Sequence, residues 1–198
     1  MKTPFYNFLK QIDLFENSII RKITQDAVVF DLDGTLFKTD SQVRILDKNT
    51  KEILKRMTHD KFELNLLNHN EIVSYHEFVR IDLDNADPLS ILNDFKNSMK
   101  NPNEEVYILT ARNSFTVPDV MELLRRHGIN EFDNDNLYTV GDTPDEILNG
   151  PHKKRLVLTK IRERHLGIVR FLDDDQRNID FANTINIDGK TIESILVK

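Results

Sequence analysis

The sequence predicts an α/β protein whose Rossmann-like parallel sheet is flanked by helices. Short runs of β-branched and apolar residues alternate along most of the chain with segments of helical periodicity. The order strand, helix, strand, helix, strand indicates βαβ units, which build a parallel sheet with helices on both faces. The predicted strands are AVVFDLD (27–33), EVYILTA (105–111), LYTVGD (137–142) and IVRFLDDD (168–175), with TINID (184–188) as a candidate for a short last strand.

The helices are predicted from apolar spacing combined with capping residues. In the second of them, Asp87 is expected as the cap and Pro88 as the first helical residue, while Gly128 is expected to end the third. The predicted helices are an N-terminal one within residues 1–25, DPLSILNDFKNSM (87–99), VPDVMELLRRHGI (117–129) and HKKRLVLTKIRERH (152–165).

We divide the chain into an N-terminal helix (1–25) and a core (26–198) that carries an insertion after its first strand (39–103). The insertion is too long for a simple crossover between two strands. It is also too short for a large α/β unit. We therefore expect a small, partly helical lid or an elaborated crossover.

Composition restricts the class of protein. Hydrophobic residues make up 39% of the chain and charged residues 30%, which is typical of a soluble globular protein. No apolar run approaches the roughly 20 residues that span a bilayer, so we expect no membrane partner. The chain contains no cysteine, which suits a reducing compartment, and we expect a cytoplasmic location. The net charge of −6 argues against a general polyanion-binding surface, and the basic run 152–165 reads on charge alone as the solvated face of a helix.

Polar residues stand where four of the predicted strands end. Because ligands of such sheets bind at the carboxyl ends of the strands, these residues are candidates for one site. Aspartate also favours turns, and one such ending would be unremarkable on its own. The endings are Asp31-Leu-Asp33, Thr110-Ala-Arg112, Gly141-Asp142 and Asp173-Asp174-Asp175.

Asp31 and Asp33 indicate a site for a metal ion and a phosphate. Residues two apart on a strand point to the same side, so both carboxylates can face one site. Mg²⁺ prefers hard oxygen ligands and needs only two or three carboxylates besides a phosphate. Gly34 permits a tight turn whose backbone N–H groups could bind an anion. The alternative is a simple turn built on Asp-Gly.

Three segments resemble motifs of the haloacid dehalogenase superfamily, a large group of phosphohydrolases with an aspartate nucleophile. DLDGTLFKTD (31–40) is similar to the first motif, Asp-x-Asp-x-Thr after a hydrophobic strand, and every defined position is filled. VYILTAR (106–112) resembles the second motif, and FLDDDQRN (171–178) resembles the fourth, with the lysine of the third between them. The motifs follow the family's order and span about three quarters of the chain.

The resemblance implies a role for each matching residue. Asp31 would attack phosphorus to form an aspartyl-phosphate, and Asp33 would protonate the leaving oxygen and then activate water. Asp31, the backbone carbonyl of Asp33, and Asp173 would hold Mg²⁺, with Asp174 as a further acid. Thr110 would donate a hydrogen bond to the phosphoryl group. Family members that act on carbon–halogen bonds lack the carboxylate of Asp33, so the resemblance is to phosphohydrolases.

The substrate-binding residues implied by the resemblance are Gly34, Thr35 and Arg112. The position of Arg112 resembles that of an arginine that grips substrate phosphate in the polynucleotide 3′-phosphatase branch, and its alternative is a surface loop charge. The overall arrangement also resembles small phosphatase-like proteins encoded by large tailed phages.

The lysine of the third motif could be Lys153, Lys154 or Lys160. Lys154 is favoured, followed by Lys153, because Lys160 lies about two turns further along the predicted helix and should point away. Gly-Asp-Thr at 141–143 is a common variant of the fourth motif, but it would require a lysine upstream, where only Arg125 and Arg126 are available.

The sequence thus favours a Mg²⁺-dependent phosphatase acting on a nucleotide or a nucleic-acid 3′-phosphate end. The partner would then be a phosphorylated small molecule or a nucleic-acid end. The alternatives are a phosphatase of a small non-nucleotide metabolite, a phosphotransferase, and a non-catalytic binding protein on the same fold.

Overall fold

A computed structural model gives the structure of the protein and describes residues 23, 25–58, 62, 67–142 and 150–198. The predicted N-terminal helix falls almost entirely on residues outside these ranges. Among the described residues, no helix is both long and apolar enough to cross a membrane.

The described residues contain the following strands and helices. The strands are β1 (Asp26–Phe30), β2 (Phe37–Lys38), β3 (Val43–Asp47), β4 (Ile53–Met57), β5 (Glu71–Ser74), β6 (Asp87–Pro88), β7 (Glu104–Thr110), β8 (Leu137–Thr139), β9 (Val169–Asp173), β10 (Asn186–Ile187), β11 (Lys190–Thr191) and β12 (Glu193–Leu196). The α-helices are α1 (Ile91–Met99), α2 (Val117–Arg126), α3 (Gly150–Arg164) and α4 (Gln176–Asn183). Short 3-10 helices lie at His76–Val79, Ser114–Thr116 and Asn134–Asn136.

A five-stranded parallel sheet in the order β12-β9-β1-β7-β8 forms the centre of the fold. β1 pairs with β7 on one side and with β9 on the other, so the strand order reverses next to β1. The predicted α/β class with a Rossmann-like parallel sheet is confirmed. The crevice above such a reversal is where sheets of this kind bind ligands.

Both faces of the sheet are covered by apolar side chains, which explains why β1 is apolar at successive positions. Val28 and Phe30 belong to the cluster on one face, where the Phe30 ring lies 5.3 Å from that of Phe95 on α1. Ala27 and Val29 belong to the cluster on the other face, which includes residues of α3. The carboxyl end of β1 is therefore held rigidly between two packed layers.

The predicted start of α1 is wrong. The helix begins at Ile91, whereas Asp87 and Pro88 form β6, which pairs with β2. The amide of Leu89 also donates to the carbonyl of Leu36, at 2.9 Å, so the chain stays extended up to this point. Proline suits this short edge pair because it has no N–H to leave unpaired. The two later helices lie close to their predicted bounds.

The end of the chain also differs from the prediction. Residues 186–187 of TINID form β10, which pairs with β11 in a hairpin outside the central sheet. The last strand of the central sheet is β12, which pairs with β9 and was not predicted. Its residues alternate between exposed and half-buried, so the segment lacks the continuous apolar run of the inner strands.

The segment after β1 carries a three-stranded antiparallel sheet in the order β4-β3-β5, called the inserted sheet below. The 3-10 helix His76–Val79 follows it. A small, partly helical lid or an elaborated crossover was expected. Where described, the part between 41 and 80 holds the three strands of this sheet and the 3-10 helix, while α1 packs on the central sheet. β4 is almost entirely exposed and gives no two-residue hydrophobic pattern, which explains why it escaped prediction.

Candidate active site

The carboxyl ends of three neighbouring strands bring the predicted site residues together. Asp31 directly follows β1, and its amide donates to the carbonyl of Leu172 on β9, at 2.9 Å. Asp173 is the last residue of β9, and Thr110 is the last residue of β7. Parallel pairing in register therefore places the ends of these strands at one edge of the sheet.

Lys154 lies between two carboxylates of the site. Its Nζ is 2.6 Å from Oδ1 of Asp31 and 2.7 Å from Oδ2 of Asp173. All three side chains are buried, and α3 delivers the lysine from its N-terminal part. Lys153 is buried on the preceding position of the same helix, whereas Lys160 lies further along and pairs with Glu163, at 3.3 Å. The geometry thus sets Lys154 apart from Lys160.

Asp173 is held by two further groups. The side-chain amide of Asn178 donates to both carboxylate oxygens of Asp173 at 3.0 Å, and the amide of Asp175 donates to Oδ1 at 2.8 Å. Asp175 also caps α4 by accepting from the amide of Arg177. Asn178 was not assigned to the site from the sequence. Its position could have suggested the contact, because Asn178 lies five residues after Asp173, in the first turn of a helix capped by Asp175.

Asp31, Asp173 and Asp174 form an acidic cluster in which one carboxylate oxygen of each lies within 4.8 Å of the others. Asp174 is the exposed member, while the other two are buried. Gly34, at φ +79°, packs directly against the carboxylate of Asp174, and a Cβ at this position would collide with it. Glycine is therefore favoured at 34 by its backbone conformation, and a Cβ there would also displace the carboxylate of Asp174.

The carboxylates of the cluster repel one another, and their pKa values shift accordingly. Burial, together with the charges of Asp173 and Asp174, raises the pKa of Asp31 well above its usual value, although Lys154 opposes the shift. Burial and the charge of Asp173 raise the pKa of Asp174 to about 6. Burial disfavours the ammonium of Lys154, but the carboxylates of Asp173 and Asp31 outweigh it and raise the pKa of Lys154.

This charge balance fits a divalent cation. When all three carboxylates are ionised, they and the ammonium of Lys154 carry a net charge of −2, which a divalent cation would neutralise. Carboxylate oxygens are the ligands that Mg²⁺ prefers, and an exposed member such as Asp174 leaves access for water ligands. The residues present could therefore hold Mg²⁺ through Asp31, Asp173 and Asp174.

Asp33 lies in a different environment from Asp31. Its carboxylate accepts from Nε of Arg112 at 2.9 Å, from Nη2 of Arg112 at 2.7 Å and from the hydroxyl of Thr39 at 2.6 Å. Burial would raise its pKa, but the charge and hydrogen bonds of Arg112 hold the pKa of Asp33 below its usual value. The pKa values of the two carboxyl groups of Asp-x-Asp are thus shifted in opposite directions: that of Asp31 is raised, which favours protonation, and that of Asp33 is lowered, which favours ionisation.

Arg112 is fully buried, which was not expected under either sequence interpretation. Besides Asp33, its guanidinium donates to the hydroxyls of Thr39 and Ser41 and to the carbonyl of Arg80. Its role in gripping a substrate phosphate stays a prediction, since the partners that the structure gives it are groups of the protein itself.

The two threonines of the site are buried. The hydroxyl of Thr110 accepts from the backbone amide of Arg112, at 3.2 Å. Thr35 lies in the turn after Gly34, and its hydroxyl has no hydrogen-bond partner among the described residues. The hydroxyl of Thr110 thus braces the loop after β7.

The alternative fourth motif, Gly141-Asp142, lies away from the acidic cluster. It follows β8, the outermost strand on its side of the sheet, whereas β9 is adjacent to β1. The carboxylate of Asp142 accepts from the amide of Ser114, at 3.1 Å, and the amide of Gly141 donates to the carbonyl of Arg112. This pair therefore supports the loop after β7.

The fold and the site define an α/β protein of the Rossmann-like class with a lysine-bridged acidic cluster at the switch in strand order. No family model, no curated protein and no solved structure matches this chain. The resemblance to haloacid dehalogenases rests on the sequence motifs quoted above.

Proposed function

We propose that the protein is a Mg²⁺-dependent phosphomonoester hydrolase of the haloacid dehalogenase type. One observation carries the proposal. The buried carboxylate of Asp31 at the end of the central strand is paired with Lys154, while two further carboxylates lie within 4.8 Å for a cation. A nucleophile, a counter-charge and a metal-binding group are the parts that transfer of a phosphoryl group to a carboxylate requires.

Asp31 is the proposed nucleophile. One of its oxygens forms a bond to phosphorus as the bond from phosphorus to the ester oxygen breaks, which gives an aspartyl-phosphate. Water then attacks phosphorus, and the bond to Asp31 breaks to release inorganic phosphate. The ammonium of Lys154, 2.6 Å from Asp31, offsets the negative charge of the nucleophile and of the incoming phosphoryl group.

Asp33 is the proposed proton carrier. Because Arg112 favours the ionised carboxylate, Asp33 is ready to take a proton from the attacking water in the second step. In the first step it passes a proton to the leaving oxygen, and this proton can come from a substrate that binds as the phosphate monoanion. A bound Mg²⁺ would neutralise charge on the phosphoryl group, and Asp31, Asp173, Asp174 and the carbonyl of Asp33 would hold it.

The inserted sheet is the proposed cap of this site. The chain that leads into it passes Thr39, whose hydroxyl donates to the carboxylate of Asp33, at 2.6 Å. Movement of the inserted sheet would therefore shift the carboxylate of Asp33, the proposed proton carrier. A cap so close to the site would control which phosphate esters reach Asp31.

The proposed substrate has a general class and a narrower one. The chemistry requires a phosphomonoester, and a nucleotide or a nucleic-acid 3′-phosphate end is the class that the position of Arg112 suggested. Since the guanidinium of Arg112 lies on Asp33, its geometry does not favour that class over a small metabolite. A panel of nucleoside monophosphates, 3′-phosphorylated oligonucleotides and glycerol phosphate separates the two classes.

Hydrolysis of p-nitrophenyl phosphate with and without Mg²⁺ tests the proposal. We expect Mg²⁺-dependent release that Asp31→Asn abolishes and that Asp180→Asn, an exposed matched control on α4, retains. Release that survives Asp31→Asn would refute the mechanism. Release of nitrophenol in excess of inorganic phosphate would instead indicate transfer to an acceptor other than water, and no release on any ester would favour a binding protein.

A further inference from the structure

Arg112 is a charged side chain with no exposed surface. It lies on the loop that begins at the end of β7, two residues after Thr110. A buried guanidinium is costly unless its donors are satisfied by hydrogen bonds. Its partners therefore show which parts of the structure depend on it.

The first partner is the carboxylate of Asp33. Nε of Arg112 lies 2.9 Å from Oδ2, and Nη2 lies 2.7 Å from Oδ1, so two parallel hydrogen bonds join the planar groups. This fork geometry fixes both the position and the rotation of the carboxylate, which a single point charge would not do.

The other partners lie at both ends of the inserted sheet. Nη2 of Arg112 is 3.1 Å from the hydroxyl of Thr39 and 2.8 Å from that of Ser41, on the chain leading into β3. Nη1 is 3.2 Å from the carbonyl of Arg80, on the chain that returns after β5. The ring of Phe78 lies 5.4 Å from the guanidinium carbon.

The two ends are also tied to each other. Glu77 accepts from the amide of Gln42 at 2.8 Å and from the guanidinium of Arg44 at 2.6 Å, and its own carbonyl accepts from the hydroxyl of Ser41 at 3.2 Å. The inserted sheet and the 3-10 helix after it are thus one connected unit. Arg112 connects that unit to the central sheet.

We propose that Arg112 is a positioning residue that clasps the inserted sheet to the central sheet and thereby fixes the carboxylate of Asp33. The clasp joins the outgoing chain at Thr39 and Ser41, the returning chain at Arg80, and the proton carrier through one guanidinium. The effect on turnover rests on the proposed function, whereas the effect on the inserted sheet does not.

Two variants and a control test the clasp. Arg112→Lys keeps the charge but cannot form the fork, and Arg112→Met removes the charge while keeping an unbranched stem. Arg125→Met is the matched control, because the Arg125 guanidinium pairs with Glu122 on the exposed side of α2. Thermal unfolding monitored by circular dichroism establishes that each variant is folded at the assay temperature.

The first measurement is burst kinetics on p-nitrophenyl phosphate with Mg²⁺. Nitrophenolate leaves without much help from an acid, so formation of the aspartyl-phosphate continues, while its hydrolysis needs the Asp33 carboxylate in place. In both variants we expect kcat to fall by about a hundredfold, KM to fall with it, and a burst of close to one nitrophenol per enzyme to appear.

A phosphate ligand or a merely structural residue would give different kinetics. If Arg112 binds the phosphate, KM rises, inhibition by inorganic phosphate weakens, and no burst appears. If Arg112 only stabilises the fold, KM stays constant and kcat per folded enzyme is unchanged. Either result would overturn the positioning role.

The second measurement is amide hydrogen exchange, which needs no activity. Arg112→Met should speed exchange in β3 and β5 by about tenfold relative to β1 and β9, while Arg125→Met should change none of them. Equal exchange in wild type and Arg112→Met would overturn the clasp. If wild type shows no Mg²⁺-dependent, Asp31-dependent hydrolysis, the proposed function fails, and hydrogen exchange alone still decides the clasp.

Discussion

The ammonium of Lys154 lies 2.6 Å from the carboxylate of Asp31, although 123 positions separate the two residues in the chain. Such a buried pair repays the cost of desolvation only when its geometry is good. Here the strand β1 fixes one partner and the helix α3 fixes the other. The pair therefore connects the fold directly to the proposed chemistry.

Lys154→Met should lower kcat on p-nitrophenyl phosphate by about a hundredfold or more, because the positive charge beside the nucleophile is lost. Lys160→Met is the control, since Lys160 pairs with Glu163 instead, and it should retain activity. Steady-state kinetics with saturating Mg²⁺ provide the measurement. Full activity in Lys154→Met together with loss in Lys153→Met would assign the third-motif lysine to Lys153.

Gly34→Ala should destabilise the protein more than Gly128→Ala. The two glycines have nearly the same positive φ, +79° and +78°, so each substitution costs about 1 kcal/mol for the backbone. A Cβ at 34 also collides with the carboxylate of Asp174, whereas a Cβ at 128 has nothing within 4 Å. Urea unfolding of both variants measures the difference, and equal losses would contradict the packing of Gly34 against Asp174.

Mg²⁺ should stabilise the protein against thermal unfolding. A cation that binds only the folded state at 100 times its Kd adds about 2.7 kcal/mol. The shift in Tm should be largest for wild type and should shrink in Asp173→Asn, because Asp173 belongs to the acidic cluster. NaCl at matched ionic strength controls for screening, and an equal shift with NaCl would speak against a specific cation site.

The free energy of unfolding should also depend on pH through His165. This buried residue lies at the opposite end of the sheet from the acidic cluster. Its Nε2 lies 2.9 Å from the hydroxyl of Tyr107, and its Nδ1 lies 3.0 Å from the carbonyl of Gln25, so the neutral ring is satisfied. Burial lowers the pKa of His165, although the Gln25 carbonyl and the charge of Glu105 oppose the shift.

A lowered pKa makes the unfolded chain bind more protons than the folded one between the two values. The contribution of neutral His165 is therefore fully present above about pH 6.5, the usual pKa of histidine, and is lost as the pH falls below this value through the lowered pKa of the folded state. The free-energy difference between wild type and His165→Gln should shrink from pH 7.5 to 5.5. The raised pKa of Asp174 acts in the opposite direction but cancels in this difference, and a constant difference would contradict the shift.

The elements that could be predicted from the sequence are those whose burial is uniform. β1 and β7 contain continuous apolar runs, and β9 is apolar except at Arg170, because both faces of the sheet are covered. The polar ends of these strands marked Asp31, Thr110 and Asp173. β12 and β4 were missed because β12 is an edge strand of alternating exposure and β4 is almost entirely exposed, so burial does not impose an apolar pattern on either of them.

The contacts of Arg112 could not be predicted, for a different reason. They depend on where Thr39, Ser41 and Arg80 meet the central sheet, and local periodicity does not specify the path of an insertion. Asn178 was within reach of prediction, since the cap at Asp175 sets the start of α4 and so directs Asn178 back toward Asp173.

The central claim is that Asp31 becomes covalently phosphorylated, and a trapped intermediate tests it most directly. The enzyme is mixed with p-nitrophenyl phosphate and Mg²⁺, quenched in acid during turnover, digested, and analysed by peptide mass spectrometry. We predict one added phosphoryl group on Asp31 in the wild type and none in Asp31→Asn. Turnover with no phosphoryl group on Asp31, or with the group on another residue, would contradict the account.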